Sequence, residues 1–371
     1  MKKYILFISL ISIIFYILSC SQKKNIIGFD ENVEIIAITI TDSINFVTTY
    51  KDSIKNYNNN TKLIVGKFND VEVRSLLKFE NLPDTSWIDT VTINSCEIVI
   101  QKDILFNEEN FNIKIYEVTK DWNENSVVWD SSNFLYNEDF DFNVSQEQDT
   151  ITFSIDTTLV KDWIESDSLN YGIMLKCENV YNNFVEFSSS ETDNSPYLKI
   201  VYTDSTSTKM DTINYNVSED TFIGNNSNSD SLDYTIANLP PIGTIFEFNL
   251  PDSLCKQNFQ INKAEMIITS DLVETFFISE AEIEITPYYV SDTVNIDYEF
   301  INDCSTYEFN LDSDTLKINI TGIIQGYTNG ELENNRILLK STTENKDFSY
   351  IKFEGDITPD LRIIYTKPVL D

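Results

Sequence analysis

The acidic residues and the lack of histidine limit the chemistry that this chain can perform. Without histidine the chain lacks the commonest general base, the commonest zinc ligand and the base of Ser-His and Cys-His nucleophile systems. A pair of carboxylates can still hydrolyse a glycosidic bond. With 60 Asp and Glu residues, however, two carboxylates that are close in sequence carry no information. We therefore predict that the protein is not an enzyme.

Cys20 stands directly after a short apolar segment at the N-terminus. Lys2 and Lys3 give this segment a positive start, and an apolar run follows from Tyr4 to Leu18. At ~1.5 Å per residue the run falls short of a ~30 Å hydrocarbon core, so we do not expect a membrane-spanning helix. A positive start, a short apolar core and a small residue before the cut are typical of a signal peptide.

The end of that segment, Ile17-Leu18-Ser19-Cys20, resembles the bacterial lipobox. In lipobox proteins the cysteine thiol takes a diacylglycerol and the chain is cut before it, which predicts a signal peptide over residues 1–19 and a lipidated Cys20 on a tether over residues 20–35. The lipid would anchor the protein in the cell envelope, at the outer membrane or the cell surface. The alternative is an ordinary secretory signal in which Cys20 merely lies near the cut.

The net charge limits the partners. The formal charge is −34, from 60 acidic and 26 basic residues. Such a chain repels nucleic acid and anionic lipid, so we predict no nucleic-acid partner. A densely anionic polysaccharide is disfavoured for the same reason unless calcium bridges the two. We interpret the acidity mainly as a solubility feature and predict no cofactor, with structural calcium left open.

Short segments with alternating apolar residues predict an all-β fold. Ile151, Phe153 and Ile155, for example, share one face of such a segment. Period-two patterning with β-branched and aromatic residues is typical of half-buried strands. Many such strands, separated by Asn, Asp and Ser turns, are typical of a sandwich or barrel. The one helix-like segment is Thr158 to Ile164.

An internal repeat divides the chain into two halves. Four segments recur in order at offsets of 163 to 168 residues, and a period this long indicates duplicated domains. We place the two sandwiches at residues 36–204 and 205–371, with the polar stretch Thr203–Asp211 as the seam. The matched pairs are Asn81–Asp84 with Asn249–Asp252, Ile93–Ile100 with Ile261–Ile268, Gly172–Lys176 with Arg336–Lys340, and Pro196–Tyr202 with Pro359–Tyr365.

Four cysteines are left if Cys20 is lipidated. An exported chain permits disulfides, and only the pairs Cys96–Cys177 and Cys255–Cys304 keep each bridge inside one half. Cys96 and Cys177 lie at inward positions of predicted strands. Buried thiols are therefore an equally good interpretation.

Several motifs of the first half follow one another in an order that is seen in a known family. They are Val65-Gly66, Arg74-Ser75-Leu76-Leu77-Lys78-Phe79, Val118-Thr119-Lys120-Asp121-Trp122, Val127-Val128-Trp129, Asp156 with Trp163, Phe187-Ser188-Ser189-Ser190-Glu191 and Pro196–Tyr202. Together they resemble the DNRLRE domain, which is named after disaggregatase-related proteins and is grouped with carbohydrate-binding modules. The resemblance covers about Ile36 to Tyr202. It implies a jelly-roll-like β-sandwich and a loose association with polysaccharide binding, and fold alone does not give function.

The second half departs from this pattern. It lacks equivalents of Trp122 and Trp129, and Tyr327 stands where Trp163 stands in the first half. We expect the sandwich to be kept. Any ligand site that is built on those tryptophans is in doubt in the second half.

The tryptophans have two interpretations, because a pyranose face packs on an aromatic ring as readily as a core does. Trp122, Trp129 and Trp163 are predicted to be core, since they belong to the family pattern and Trp163 lies on the inward face of the short helix. Trp87 lies in the polar connection Asp84–Asp89, where an exposed ring needs a use. Trp87 is therefore the candidate glycan-binding residue, with a cap on the core as the alternative.

Three sets of oxygen-bearing side chains are candidates either for calcium binding or for a structural role. Asp139, Asp141 and Asn143 alternate along one strand, which suits either calcium or a solvated face. Asp156 precedes the predicted helix and is expected to cap it. Glu191 follows three serines and suits either purpose.

Two functions of different class follow from these observations. The first is a non-catalytic module that binds a neutral or weakly charged glycan through the lipid-anchored sandwiches. The second is a structural or adhesive spacer that presents or links surface proteins. A polysaccharide-degrading enzyme is third. An exposed aromatic row or a concave groove would favour the first, and two carboxylates about 5–10 Å apart in a cleft would favour the third.

Overall fold

The computed structural model describes residues 33–41, 43–52, 60–68, 70–106, 111–129, 136–144, 148–177, 182–225, 233–255, 259–278, 283–309, 311–355 and 358–368. The predicted signal peptide and Cys20 lie outside the described residues. Within these ranges, no helix has both the length and the apolar character needed to cross a membrane.

Strands dominate the described chain, which confirms the predicted all-β fold. In the first part they are β1 (Val33–Ile40), β2 (Ile44–Lys51), β3 (Lys62–Phe68), β4 (Val71–Phe79), β5 (Val91–Phe106), β6 (Phe111–Val118), β7 (Tyr136–Val144), β8 (Thr150–Ile155), β9 (Ile173–Cys177), β10 (Asn183–Ser188), β11 (Tyr197–Asp204) and β12 (Met210–Gly224). The later strands are β13 (Thr235–Ala237), β14 (Ile242–Phe248), β15 (Gln260–Thr269), β16 (Ile283–Asp292), β17 (Asp297–Glu299), β18 (Tyr307–Phe309), β19 (Thr315–Asn319), β20 (Arg336–Ser341), β21 (Tyr350–Lys352) and β22 (Asp360–Pro368).

In the described part of the chain, three short α-helices interrupt the strands. They are α1 (Thr85–Ile88), α2 (Thr157–Glu165) and α3 (Thr321–Asn329), and a 3₁₀ turn at Asp167–Leu169 follows α2. The predicted helix at Thr158 to Ile164 lies inside α2. The strand β8 shows the expected alternation, because Ile151, Phe153 and Ile155 are buried and the residues between them are exposed.

The first sandwich consists of β3 to β12. Its strands lie in the order β12-β11-β5-β10-β3-β4-β9-β6-β7, with β8 beside β5. This sheet folds back on itself because β12 pairs with β11 through residues 210–216 and with β4 through residues 217–224. The core between the two layers contains Leu63, Phe79, Ile98 and Trp163.

The second sandwich contains β13 to β22 together with the first two strands of the chain. One sheet has the order β1-β22-β15-β19, and the other has the order β17-β16-β20-β14-β13-β21, with β18 beside β16 and β2 beside β14. The core between the two sheets includes Ile44, Phe246, Met266 and Ile363.

The two sandwiches exchange strands. β1 pairs with β22 from Val33 opposite Pro368 to Ile40 opposite Leu361, and β2 pairs with β14. Conversely, β12 follows the predicted seam in sequence and yet completes the first sandwich. The strands that precede the first repeat, β1 and β2, thus belong to the second sandwich, and the strand that precedes the second repeat, β12, belongs to the first.

The predicted boundary between residues 204 and 205 is therefore wrong as a division of the sheets. In addition, residues 33–35 belong to β1 and not to the tether. The physical reason is that β11 and β22 are copies with the same alternating pattern, so that an incoming edge strand finds an equivalent partner in either copy.

An aromatic cluster joins the two sandwiches. Phe68 and Phe184 of the first sandwich pack against Phe276 and Phe348 of the second, with ring centroids 4.6 Å apart for Phe68–Phe276 and 4.8 Å apart for Phe184–Phe348. The cluster is continued by Phe106, which stacks on Phe184. Burial of several large rings makes this contact strongly apolar.

The disulfide alternative is not formed. Cys96, Cys177, Cys255 and Cys304 are all thiols, and all but Cys255 are buried. The Cys177 thiol donates to the carbonyl oxygen of Asn112 at 3.3 Å. Cys96 and Cys177 therefore serve as small core residues, the second of the two interpretations, and Cys304 lies in the second core.

Candidate functional site

The helix α2 holds Asp156 and Trp163 in structural positions. The Asp156 carboxylate accepts a hydrogen bond from the Thr158 backbone N–H at 2.8 Å, which is the expected cap. Trp163 lies on the buried face of the helix, is 1% exposed, and stacks on Phe79. The structure therefore places Trp163 in the core, where a sugar cannot reach it.

Trp122 lies in a second, smaller core outside the first sandwich. The loop that carries it, residues 119–129, covers the outer face of β4, β6 and β9, where Trp122 packs with Leu76, Tyr116 and Met174. Its indole N–H donates to the Tyr171 carbonyl oxygen at 2.8 Å. Trp122 is thus a cover for the sheet and not an open stacking platform.

Arg74 and Trp129 are brought together, although they belong to different motifs in the sequence. The Arg74 guanidinium carbon lies 4.1 Å from the centre of the Trp129 ring, a cation–π contact. The Arg74 Nε also donates to Glu72 at 2.8 Å. This stack occupies one face of the half-buried Trp129 ring, so that Arg74 and Trp129 hold the covering loop against β4.

Glu191 lies in a loop that holds a buried acid. Its carboxylate accepts from the Ser189 hydroxyl at 2.7 Å, and Ser190 donates through its backbone N–H to Asp220 at 2.7 Å. Burial, helped by the charges of Glu191 and Glu124, raises the pKa of Asp220 to about 7, although the hydrogen bonds from Ser190 act to lower it. Asp220 was missed in the sequence, because nothing distinguishes it there from the other acidic residues.

Asp220 does not make this loop a catalytic cleft. Its side chain is 4% exposed, and the adjoining cavity has a volume of about 10 Å³, room for one water molecule at most. Among the described residues, no three Asp, Glu or Cys side chains are arranged to hold a metal ion. Asp139, Asp141 and Asn143 lie on β7, at the end of the strand order, where the structure describes the backbone.

Trp87 is the remaining tryptophan of the chain and the candidate glycan contact. The predicted polar connection contains the short helix α1, which begins after Asp84, and the Asp84 carboxylate accepts from the Trp87 N–H at 3.2 Å. The half-buried Trp87 ring packs against the first core and meets the Tyr202 ring edge to face, with the ring centroids 5.0 Å apart. Tyr202 donates to Asp211 at 3.5 Å. We call Trp87, Tyr202 and Asp211 the Trp87 corner.

The position of Trp87 agrees with a cap on the core, and glycan binding by Trp87 stays a prediction. One side of the ring packs against the first core, as a cap does, while the residue as a whole stays half-exposed. A rigid, partly exposed ring next to a carboxylate and a phenol hydroxyl can pack on a sugar face and hydrogen bond to sugar hydroxyls.

Comparison with known proteins gives one clear match. A model of carbohydrate-binding module family 96 matches residues 39–202. The match supports a carbohydrate-binding-module-like region over these residues, whose first strands pair within the second sandwich. No curated protein matches the chain.

One solved structure is similar over most of the chain. It is described as a "putative secreted protein" from Parabacteroides distasonis, with 9% sequence identity over 91% of this chain and 90% of the other, at a TM-score of 0.21. At so low a TM-score this similarity carries no argument about fold or function.

Proposed function

We propose that the protein is a lipid-anchored, non-catalytic protein of the cell envelope that binds a polysaccharide. The observation that carries this proposal is the match of residues 39–202 to a carbohydrate-binding module family. A module of this class holds a glycan and leaves cleavage to other proteins. Lipidation at Cys20 would keep the bound polysaccharide at the membrane surface.

The Trp87 corner is the proposed contact in the first sandwich. Trp122, Trp129 and Trp163 are each engaged by the protein itself, through a hydrogen bond, a stacked guanidinium or the core. Trp87 keeps part of its ring exposed beside the Tyr202 ring. A single partly exposed stacking contact predicts weak binding, which suits a protein that gains residence time from its anchor.

A non-catalytic role is supported by the surroundings of Asp220. A carboxylic acid with a pKa of about 7 is the kind of group that serves as a general acid in a glycosidase. Here that acid is buried, accepts two hydrogen bonds from Ser190 and adjoins no space for a glycosidic oxygen. Its raised pKa is therefore explained by burial within the fold.

The spacer function is the second candidate, and the exchange of strands favours it. β1 and β2 tie the start of the described chain to the second sandwich, and Phe68, Phe184, Phe276 and Phe348 close the contact between the sandwiches. Such ties suit a protein that holds other proteins at a distance. They need no glycan.

Affinity electrophoresis and a glycan array separate the two functions. The test protein is the chain from Ser21 to Asp371, which contains every described residue. We expect at least one neutral polysaccharide to retain it, and Trp87→Ala to weaken retention by ~1 kcal/mol, the loss of one stacking contact. Trp87→Phe, which keeps a ring, is the control.

The assay also tests the non-catalytic role. The polysaccharide should show no new reducing ends and no unsaturated products after incubation. Accumulation of either would make the chain an enzyme. If no glycan on the array retains the chain, the spacer function replaces the binding function.

Lipid anchoring has its own test. In cells, Cys20→Ala should abolish metabolic labelling by palmitate and release the protein from the membrane fraction, because the thiol that carries the lipid is gone. Ser21→Ala is the matched control and should keep the label. Label retained on Cys20→Ala would refute the anchor.

A further inference from the structure

The outer faces of the two sandwiches differ at equivalent positions. In the first sandwich Tyr116 lies opposite Met174, and in the second Tyr288 lies opposite Leu338, the residue that the repeat aligns with Met174. Tyr116 is 2% exposed because the loop with Trp122 covers it, whereas Tyr288 is half-exposed. The second half lacks a counterpart of Trp122, and among the described residues this face is partly exposed.

Four aromatic rings form a row on this open face. In order they are Tyr50 on β2, Tyr298 on β17, Tyr288 on β16 and Phe300 directly after β17, with successive ring centroids 5.6, 5.3 and 6.3 Å apart. We call them the tyrosine row. Phe300 is 49% exposed, and the three tyrosines are partly exposed. Exposed rings grouped in this way mark a binding surface more often than solitary exposed rings do.

The tyrosine row rests on a firm base. Ile245, Val290 and Leu338 are buried directly under it, on β14, β16 and β20. Each of these is a residue of the larger sheet of the second sandwich, and the three tyrosine rings above them also lie on strands of that sheet. A binding surface on strands is already in place before a ligand arrives, which lowers the entropy lost on binding.

A groove with polar walls opens beside the row. Its volume is about 410 Å³, within the usual range of small-molecule sites. Part of its lining is aromatic and part carries hydroxyl and carboxylate groups. The lining residues are Tyr288, Tyr298, Lys340, Ser341, Thr342 and Glu344.

The one cation in that lining is neutralised by the protein itself. The Lys340 ammonium donates to the Tyr298 hydroxyl at 2.8 Å and lies 3.0 Å from Glu344 and 3.7 Å from Asp52. Burial alone would lower the pKa of Lys340, but Tyr298 and Glu344 raise it, so the lysine stays charged and paired. With two carboxylates around one ammonium, the groove offers an anionic ligand no net attraction.

We propose that the tyrosine row and its groove form a second glycan-binding site, which takes a neutral polysaccharide. Sugar rings stack on Tyr288, Tyr298 and Phe300, while Thr342 and Glu344 hydrogen bond to sugar hydroxyls. The ligand class rests on the proposed function. The residues are different from those of the Trp87 corner, so the two sites can fail separately.

Charge selects the neutral class of polysaccharide. The chain as a whole carries −34, and Glu284 and Glu344 lie on the same face as the groove, where Glu284 accepts from Thr342 at 2.7 Å. An acidic polysaccharide would be repelled at this face. A neutral sugar presents C–H groups to the rings and hydroxyls to the carboxylates.

The exchange of strands assembles this site. Tyr50 and Asp52 come from β2 and the residue after it, while the other groups come from β16, β17 and β20 and the residues that follow them. The second half alone therefore lacks one end of the row and one partner of Lys340. The complete row therefore requires β2 in the same chain as the second half.

Four versions of the chain from Ser21 to Asp371 test the proposal. They are the unchanged chain, Trp87→Ala, Tyr288→Ala with Phe300→Ala, and all three substitutions together. The probes are a soluble β-1,3-glucan, a galactomannan and an arabinoxylan, with polygalacturonate as the acidic comparison. Binding is measured by affinity electrophoresis, and thermal unfolding shows whether each variant is folded.

We expect the Tyr288→Ala, Phe300→Ala variant to bind a neutral polysaccharide at least about tenfold more weakly, because it loses two stacking contacts. Tyr288→Phe keeps the ring and should bind as the unchanged chain does. Polygalacturonate should not be retained. Phe300→Ala alone changes an exposed side chain, so its smaller loss reports binding even if the double variant unfolds.

The outcomes separate this proposal from the proposed function. Binding that the row variant keeps and Trp87→Ala loses overturns the row and leaves the function standing. Binding that the row variant loses and Trp87→Ala keeps supports the row and removes the Trp87 corner. Retention of none of the three neutral polysaccharides by the unchanged chain overturns both.

Discussion

The two sandwiches use the same helix position in different ways. Trp163 of α2 is buried and stacks on Phe79, whereas its counterpart Tyr327 of α3 is half-buried and meets Phe248 edge to face at 5.0 Å. Both rings lie against the residue at the end of the strand before the Asn-Leu-Pro-Asp motif. The position therefore demands a large ring, and the identity of the ring is free to change as the neighbouring core changes.

The helix starts differ in the same manner. Asp156 caps α2 through its own carboxylate, whereas α3 begins after Ile320, which has no capping side chain. Asn319 takes over that role one residue earlier, because its side-chain oxygen accepts from the Thr321 N–H at 3.1 Å. In the second half the capping side chain thus lies one residue earlier than in the first, and the helix still forms.

The larger difference lies on the outer sheet faces. The first sandwich hides its face under the loop of Trp122, and the second leaves the equivalent face open with its tyrosines presented to solvent. The sequence of the second half places in doubt any ligand site that is built on the missing tryptophans. The structure shows instead that those tryptophans are a cover, and that their loss uncovers a surface.

Removing β1 and β2 should have the largest effect on this comparison. A chain that starts at Asn60 removes β2 from the edge of β14 and β1 from the edge of β22, and it exposes the part of the core that Ile44 covers, so we expect the second sandwich to lose cooperative unfolding. The first sandwich, complete from β3 to β12, should stay folded. Hydrogen exchange of each half measures this, and equal protection in both halves would contradict the assigned strand exchange.

The next largest effect is expected from replacing the two equivalent rings, because the loss of stability should be larger in the first sandwich than in the second. Trp163→Ala should destabilise the first sandwich by roughly 3–5 kcal/mol, the usual loss for a buried Trp. Tyr327→Ala should cost about 1–3 kcal/mol because that ring is only half-buried. Chemical denaturation measures both, with Trp163→Phe as the control that keeps a ring. An unchanged midpoint for Trp163→Ala would mean that the ring is on the surface.

The buried Asp220 predicts that the stability of the first sandwich depends on pH. Asp220 has an ordinary pKa of 3.8 when exposed and about 7 when folded, so the folded state binds the proton more tightly. The stabilisation that protonated Asp220 contributes to the free energy of unfolding is fully present below about pH 4. It is lost as the pH rises through 7, a change on the order of 2–4 kcal/mol.

Asp220→Asn tests this pH dependence. The amide oxygen can still accept from Ser190, and no charge has to be buried above pH 7. The variant should therefore unfold at a higher temperature than the unchanged chain at pH 8 and at a similar temperature at pH 4. Glu219→Gln, a neighbour that is less buried, is the control. A lower midpoint for Asp220→Asn at pH 8 would show that the carboxylate is stabilising.

The smallest expected effect concerns the stack that holds the covering loop. Arg74→Lys keeps the charge but loses the planar contact with Trp129, and should cost about 0.5–1 kcal/mol. The second half has Ile242 near the equivalent position and no such stack. Tryptophan fluorescence should follow the loosened loop, and Arg336→Lys, a cation on the other sandwich, should leave the signal unchanged.

Local features of this protein were readable from the sequence. Alternation in segments such as Ile151–Ile155 states which side chains face the core, because successive side chains of a strand point to opposite faces. The cap at Asp156 and the inward position of Trp163 follow from spacing along a single helix. The repeat of segments at offsets of 163 to 168 states that the chain contains two similar cores.

The partners of those local elements were decided only by the tertiary structure. Strand pairing is made by backbone N–H and C=O groups that every residue carries, so the sequence of β1 does not state whether β11 or its copy β22 will accept it. The contact of Arg74 with Trp129, the buried state of Asp220 and the tyrosine row all join residues far apart in the chain. Sequence periodicity assigns a side chain to a face, and only the packing of the whole chain determines whether that face is covered or open.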